Sequence, residues 1–195
     1  MNAPQPVQQR NRNRAMLIAI FVIFLGSFFF AGALRFSGWR PSGLKNHGEL
    51  LQPPADLRNL APTLVDGSAY PWNPVERTWR IVVAPPADCA EACVKLARQI
   101  DLVWQLFGHD ANHVHVLWMG EPPAGMAMMT APLRQLRPSP ALRAALPRVD
   151  DIGSAGRRGV PVYVVDPNGF AILRYAPGFD PGDLRSDVAR LLKLQ

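Results

Sequence analysis

Residues 79–107, WRIVVAPPADCAEACVKLARQIDLVWQLF, hold a short apolar run, a double proline, two cysteines and a helical pattern. Trp79 to Ala84 is rich in β-branched residues and is closed by Pro85-Pro86, which predicts a short buried strand. Asp88 is a favourable N-cap, and Cys93, Leu96, Ala97, Ile100, Val103, Trp104 and Phe107 recur at helical spacing. A helix with one apolar face is therefore expected, ending at Gly108. Cys89 falls in its first turn, where free backbone N–H groups and the helix dipole favour a thiolate and mark the more reactive sulfur. Cys93 lies about one turn deeper on the apolar face, so the two sulfurs can meet.

Further along, His113 to Met119 reads as a second strand. Pro132 to Leu146 reads as loop with one or two short helical turns, one of them capped by Ser139-Pro140. Val160 to Val165 is a third strand. Asp166-Pro167-Asn168-Gly169 carries the residue preferences of a type I turn, so a fourth strand, Phe170 to Tyr175, should fold back on the third. Asp180-Pro181 then starts a helix with Leu184, Val188, Leu191 and Leu192 on its inner face and Asp183 in its first turn. The resulting order, β-α-β-α-β-β-α, is an α/β arrangement similar to the thioredoxin fold, with the cysteines where that fold carries its redox motif. Gly159-Val160-Pro161-Val162 resembles the stretch where thioredoxin-like proteins carry a cis-proline facing the cysteines, which predicts a cis bond before Pro161. The other reading is a proline that simply opens a strand.

Working back to the N-terminus, Ala15 to Leu34 is a run without a charge. At about 1.5 Å per helical residue it matches a hydrocarbon core of roughly 30 Å. Arg10, Arg12 and Arg14 precede it and no acid occurs before Glu49, so the positive-inside rule keeps the N-terminus cytoplasmic and exports the rest. Ala31-Gly32-Ala33 has the form of a signal-peptide cleavage site, but the apolar run exceeds the roughly 7 to 15 residues usual for one. The expected organisation is a basic tail over 1–14, a transmembrane helix over 15–34, a periplasmic tether and approach over 35–78, and a thioredoxin-like domain over 79–195. Gly, Pro and Asn break the apolar patterns of the tether, although short strands could hide there. Trp39, with Arg35 and Arg40, reads as an interfacial residue at the outer membrane surface.

The net charge of +6 invites a nucleic-acid reading, but outside the tail 18 basic residues face 15 acids and they are scattered. No nucleic-acid motif accompanies them. Hydrolase and nucleotide motifs are absent as well, since there is no G-x-S-x-G, Walker loop or H-E-x-x-H. Asp150 and Asp151 beside Arg157 and Arg158 read as a solvated loop of mixed charge. Trp72, Trp79, Trp104 and Trp118 could suggest a ligand cage but read as core packing, Trp104 on the apolar face of the helix and Trp79 and Trp118 on strands.

Two thiols at a helix start in an exported domain leave three outcomes. They can hold Cu(I) with a third ligand from a neighbouring loop, exchange disulfides with Cys89 attacking and Cys93 resolving, or form a plain stabilising bridge. For extra metal donors, His113 and His115 would share one side of a strand, and Met126, Met128 and Met129 lie in a proline-bounded loop. Both sets have blander readings, as exposed strand residues and as loop packing. His47 and His109 look like surface residues.

Asn46-His47-Gly48-Glu49-Leu50-Leu51, Cys89 with Cys93, Arg98-Gln99, Val165-Asp166-Pro167-Asn168-Gly169 and Leu191-Leu192-Lys193 resemble a known group. They are similar to the SCO copper chaperones and, more closely, to SCO-like thioredoxin-fold membrane proteins linked to cytochrome c oxidase assembly in proteobacteria. The resemblance implies a periplasmic assembly factor on the bacterial inner membrane. It would use the pair for Cu(I) handling or for reducing a partner such as an oxidase subunit or another assembly factor. It is not expected to be a turnover enzyme. Val94 stands where SCO chaperones have a proline, and Pro167 where the resemblance would put a copper-ligating histidine, so only Cys89 and Cys93 carry over as site residues. A general periplasmic thiol-disulfide oxidoreductase and a non-catalytic interaction domain on a degenerate thioredoxin fold are the alternatives.

Overall fold

A computed structural model describes residues 7–37, 45–123, 130–152 and 159–194. The chain divides into two compact units, Met1–Lys45 and Asn46–Gln195. In the first, helix α1 covers Val7–Phe36 and so takes in the arginine-bearing end expected as a separate tail. Phe21, Phe24, Phe28 and Phe30 are all exposed on it. Its stretch Arg10–Phe36 is long and apolar enough to cross a membrane. Its one mid-span hydroxyl, Ser27 Oγ, donates to the Phe24 carbonyl, so no polar side chain is left for lipid to solvate.

The second unit is a mixed six-stranded sheet in the order β1-β6-β5-β2-β3-β4. Its strands are β1 (Glu49–Asp56), β2 (Trp79–Val83), β3 (Val114–Met119), β4 (Leu133–Leu136), β5 (Val162–Val165) and β6 (Phe170–Tyr175). Its helices are α2 (Glu91–Gln105), α3 (Pro140–Ala145) and α4 (Pro181–Leu192). Strand β2 is buried along its whole length and runs parallel to β3 through the α2 crossover, while β5 lies antiparallel on its other side. Alternate strand residues feed two cores. Ile81, Val83, Val116 and Val164 meet α2 and α4, whereas Val82, Leu117, Tyr163 and Val165 meet α3 and the segment after β1. The two-residue period of a strand produces this division.

The local signals at the later elements are matched. Asp180 accepts from the Gly182 N–H with Pro181 in the first turn of α4, and Ser139 accepts from the Leu142 N–H at α3. At the β5–β6 turn, Asp166 Oδ1 accepts from the Phe170 N–H at 2.8 Å, and Gly169 holds a φ of +94°. A side chain at Gly169 would be strained by that backbone and would also meet Trp72.

Four expectations are corrected. The sheet unit begins at Asn46, so β1 and the residues up to Thr78 belong to it and are no linker. Pro53 and Pro54 hid β1 from the pattern, and an outer strand tolerates them because its outward N–H groups need no partner. Leu133–Leu136, read as loop, is a strand parallel to β3, its four residues too short for a periodic signal. Helix α2 starts two residues late, with Ala90 and not Asp88 as its N-cap, because Cys89 N–H closes a turn onto the Pro86 carbonyl. Finally, the cis peptide bond among the described residues is Gln52–Pro53, and Val160–Pro161 is trans. Pro161 directly precedes β5, its carbonyl accepting from the Ala84 N–H, and a proline suits a strand entry because it has no N–H to place.

Candidate functional site

The end of β2 delivers the chain to the cysteines. Ala84 is buried, Pro85 and Pro86 stop the strand, and the turn from Pro86 to Cys89 leads into α2. Cys89 thus stands one residue before the N-cap, and Cys93 is the third residue of the helix with its N–H on the Ala90 carbonyl. The two form a disulfide with their Cα atoms 5.6 Å apart. Cys93 is 2% exposed and belongs to the core under α2, whereas Cys89 is half-buried. An incoming thiolate can therefore reach the sulfur of Cys89 more readily than that of Cys93.

The pair faces a cavity of about 500 Å³. Its other walls include Pro86, Met119, Glu121, Pro138 and Arg143. Arg143 is held in place, donating to the Pro85 carbonyl at 2.9 Å and to Asp150 at 2.7 Å. The end of β3 is held too, since the Gly120 N–H donates to the Leu136 carbonyl and Gln135 Nε2 to the Gly120 carbonyl.

Strand register decides which sequence candidates meet here. Val83 pairs with Val162, so the Pro161 end of β5 lies beside the cysteine end of β2. Arg80 pairs with Val165, which puts Asp166 and Pro167 at the opposite end of the sheet. The position to which the resemblance assigned a third ligand is thus far from the pair. His113 lies in a 3-10 turn over Gly108–His113, outside β3, so it does not share a strand face with His115. His115 Nδ1 is bonded to the Tyr70 hydroxyl at 2.6 Å, and burial, then Arg134 and Arg80, push its pKa below the usual value. His109 is exposed beside Asp110. No group of three His, Cys, Asp or Glu able to hold a metal occurs among the described residues. Trp39, Arg40, Met126, Met128, Met129, Arg157 and Arg158 lie outside the described residues.

The mixed-charge loop is more structured than expected. Asp150 pairs with Arg143, and Asp151 with Arg174, which is 2% exposed. The tryptophans pack as expected, with Trp79 and Trp118 buried in the core and Trp104 against it.

Three buried charged residues escaped the sequence reading: Arg80, Arg174 and Asp187. Arg80 donates to the Asp166 and Pro167 carbonyls and lies over the Tyr70 and Trp72 rings. Asp187 accepts from the His47 and Gly48 N–H groups and the Tyr175 hydroxyl, and it pairs with the His47 ring, which is exposed as expected. Burial alone would raise the Asp187 pKa, but the hydrogen bonds from Gly48, Tyr175 and His47 outweigh it and hold the carboxyl below its usual range. Burial and the Asp187 charge push the Tyr175 hydroxyl up. The signal was available, since Asp187 sits between Leu184, Val188 and Leu191 on the inward stripe of α4.

Comparison with known proteins agrees with this fold. The family described as transmembrane-like, thioredoxin-like, C-terminal domain matches residues 79–195. No curated protein matches the chain in sequence. Among solved structures, a candidate thioredoxin from Neisseria meningitidis is similar at 12% identity and a TM-score of 0.50, over 69% of this chain and 87% of that one. Copper-bound ScoI from Arabidopsis thaliana is similar at 13% identity and a TM-score of 0.48, over 69% of this chain and 96% of that one. Copper-bound ScoI from Bradyrhizobium japonicum is similar at 15% identity and a TM-score of 0.46, over 74% of this chain and 98% of that one. At these identities the likeness is one of fold.

Proposed function

The chain belongs to this family of transmembrane-like, thioredoxin-like C-terminal domains, and from that premise we propose that it is a membrane-tethered thiol-disulfide protein working on the periplasmic side of the bacterial inner membrane. The observation that carries this reading is the Cys89–Cys93 disulfide at the mouth of a cavity, with one sulfur half-exposed and the other in the core. The orientation rests on Arg10, Arg12 and Arg14 ahead of α1 and the lack of any acid before Glu49.

The exchange runs in three steps. An external dithiol first reduces the pair, breaking the Cys89–Cys93 bond and becoming a disulfide itself. The Cys89 thiolate then attacks a partner's disulfide and releases one partner thiolate. Cys93 attacks the Cys89 sulfur of the mixed bond, expels the second partner thiolate and restores the Cys89–Cys93 bond. Two electrons have passed from the chain to the partner. The resemblance to SCO-like proteins supports a partner whose cysteines must be kept reduced to take copper, such as a subunit of a respiratory oxidase, or direct handling of Cu(I). The expected outcome is that Cys89→Ala with Cys93→Ala lowers assembled oxidase in membranes. Unchanged oxidase content in that double variant would overturn the assembly role.

A general periplasmic thiol-disulfide oxidoreductase is the second reading, favoured by the proline-lined cavity, which could admit segments of many partners. It is separated from the first by defects in other exported disulfide proteins when the pair is removed.

A further inference from the structure

We propose that Arg143 is a positioning residue for the thiol exchange. By holding the Pro85 carbonyl it fixes the turn that carries Cys89, and so keeps Cys89 within reach of Cys93 once the bond between them is broken. The inference rests on the reading of the pair as one that cycles between disulfide and dithiol.

The need for a tie follows from the residues of the turn. The sheet lets go of the chain after Ala84, whose N–H is on the Pro161 carbonyl, and α2 begins only at Glu91. Pro85 and Pro86 have no N–H, so backbone hydrogen bonds to these two residues must go to their carbonyls. The Pro86 carbonyl accepts from the Cys89 N–H at 3.2 Å, a bond inside the turn that moves with it. The Pro85 carbonyl accepts from Arg143 Nη1 at 2.9 Å, and that bond joins the turn to a different element, α3. The far end of the tie is firm. Leu142 and Leu146, on either side of Arg143, are buried in the core. Arg143 Nη2 donates to Asp150 at 2.7 Å, and the loop carrying Asp150 is held by the Tyr163 hydroxyl on the Pro147 carbonyl and by Asp151 on buried Arg174. Both bonds leave one planar guanidinium, so the bond to Asp150 sets the direction of the bond to Pro85.

The consequence lies in the reduced and mixed-disulfide states. While the disulfide is intact, the covalent bond itself holds Cys89 at Cys93. Once it is broken, Cys93 is still fixed by α2 and the core, and the place of the Cys89 sulfur depends on the turn. A fixed turn raises the effective concentration of one sulfur at the other. In the resolving step the Cys93 thiolate attacks the Cys89 sulfur, the Cys89–Cys93 bond forms as the bond to the partner breaks, and the electron pair leaves on the partner's thiolate. Arg143 takes no part in that transfer. It shortens the life of the mixed disulfide by keeping the Cys89 sulfur in front of Cys93.

The test uses the full chain in detergent, equilibrated in glutathione redox buffers and quenched in acid, with the dithiol, mixed-disulfide and internal-disulfide forms counted by mass. Arg143→Ala should lower the equilibrium constant for closing the Cys89–Cys93 bond by about ten-fold, which for this two-electron couple is a potential about 30 mV less negative. Glutathione should also accumulate on Cys89 in Arg143→Ala to a level the wild type does not reach. Arg143→Lys, which keeps one charged donor but loses the fork, should recover part of the loss, and Asp150→Ala should shift the constant in the same direction as Arg143→Ala. Arg143→Lys and Asp150→Ala carry the test if Arg143→Ala does not fold. A wild-type pair that titrates, with the same constant in the folded variants or a tighter bond in them, overturns the role of Arg143 and leaves the exchange reading standing. If the wild-type pair does not titrate at all, the exchange reading falls and this role falls with it.

Discussion

Replacing Asp187 by alanine should loosen the join between the start of the sheet unit and its last helix. The carboxylate, 3% exposed, accepts from the His47 N–H at 2.8 Å, the Gly48 N–H at 2.8 Å and the Tyr175 hydroxyl at 2.9 Å. Gly48 and Tyr175 are both buried, so Asp187→Ala strands two donors where water enters poorly, while His47 lies nearer the surface. At about 1–3 kcal/mol for each buried donor left without a partner, the loss should be roughly 3 kcal/mol. For a unit of this size that is a fall in Tm of about 6–12 °C. The pH dependence follows from the lowered pKa of Asp187. A carboxyl with a folded pKa below its unfolded value of about 3.9 stabilises the fold above that value, and this contribution is lost as the pH falls through the folded pKa. Urea unfolding of wild type and Asp187→Ala, followed by tryptophan fluorescence, should therefore show the full gap between about pH 5 and 8 and a narrowing one below about pH 4. A gap under about 0.5 kcal/mol at pH 7, as for an ordinary surface substitution, would refute the reasoning, and so would a gap that widens in acid.

Other substitutions probe other joints. Gly169→Ala must adopt a φ of +94° and would bring its Cβ within 2.8 Å of Trp72, whereas Gly178→Ala meets the strain of φ +85° with no atom within 4 Å. Thermal melts should therefore place Gly169→Ala well below Gly178→Ala, whose backbone strain alone is worth about 1 kcal/mol. Arg80→Ala removes the donor to the Asp166 and Pro167 carbonyls and empties a fully buried site, so chemical denaturation should show a loss of about 3 kcal/mol. After reduction, mass-resolved alkylation should modify half-buried Cys89 before Cys93, and the reverse order would contradict the assignment of the attacking sulfur. Phe24→Arg, at the middle of α1, should cost about 2.5–3.5 kcal/mol of membrane insertion and shift the chain out of the membrane fraction in an insertion assay.

The apposed pair of cysteines was legible because nearest-neighbour chemistry writes it out. A β-branched run, two prolines and an apolar stripe with a four-residue cysteine spacing leave little choice of element, and the pair then falls at the junction of strand and helix. The other walls of the cavity beside that pair were not legible. Met119 and Arg143 reach the cavity from β3 and α3, across dozens of residues, and only the sheet order brings their ends together. The same holds for the trans bond before Pro161. A proline after a valine leaves both isomers open, and the ladder to Ala84 accompanies the trans form.

The amino-acid order alone therefore determined the apolar helix near the N-terminus, the alternation of strands and helices after Trp79, the turn at Asp166–Gly169 and the presence of two apposable thiols. Each depends on periodicity or on residues within about one turn of each other, and such forces are local. Tertiary structure decided the rest: that Glu49–Asp56 is an outer strand, that Leu133–Leu136 pairs with β3, that Pro167 lies at the wrong end to serve the cysteines, and that Arg80, Arg174 and Asp187 are buried. Strand pairing and the burial of a charge are settled by partners distant in the chain. Their energies exist only once the sheet has closed, and no window of sequence contains them.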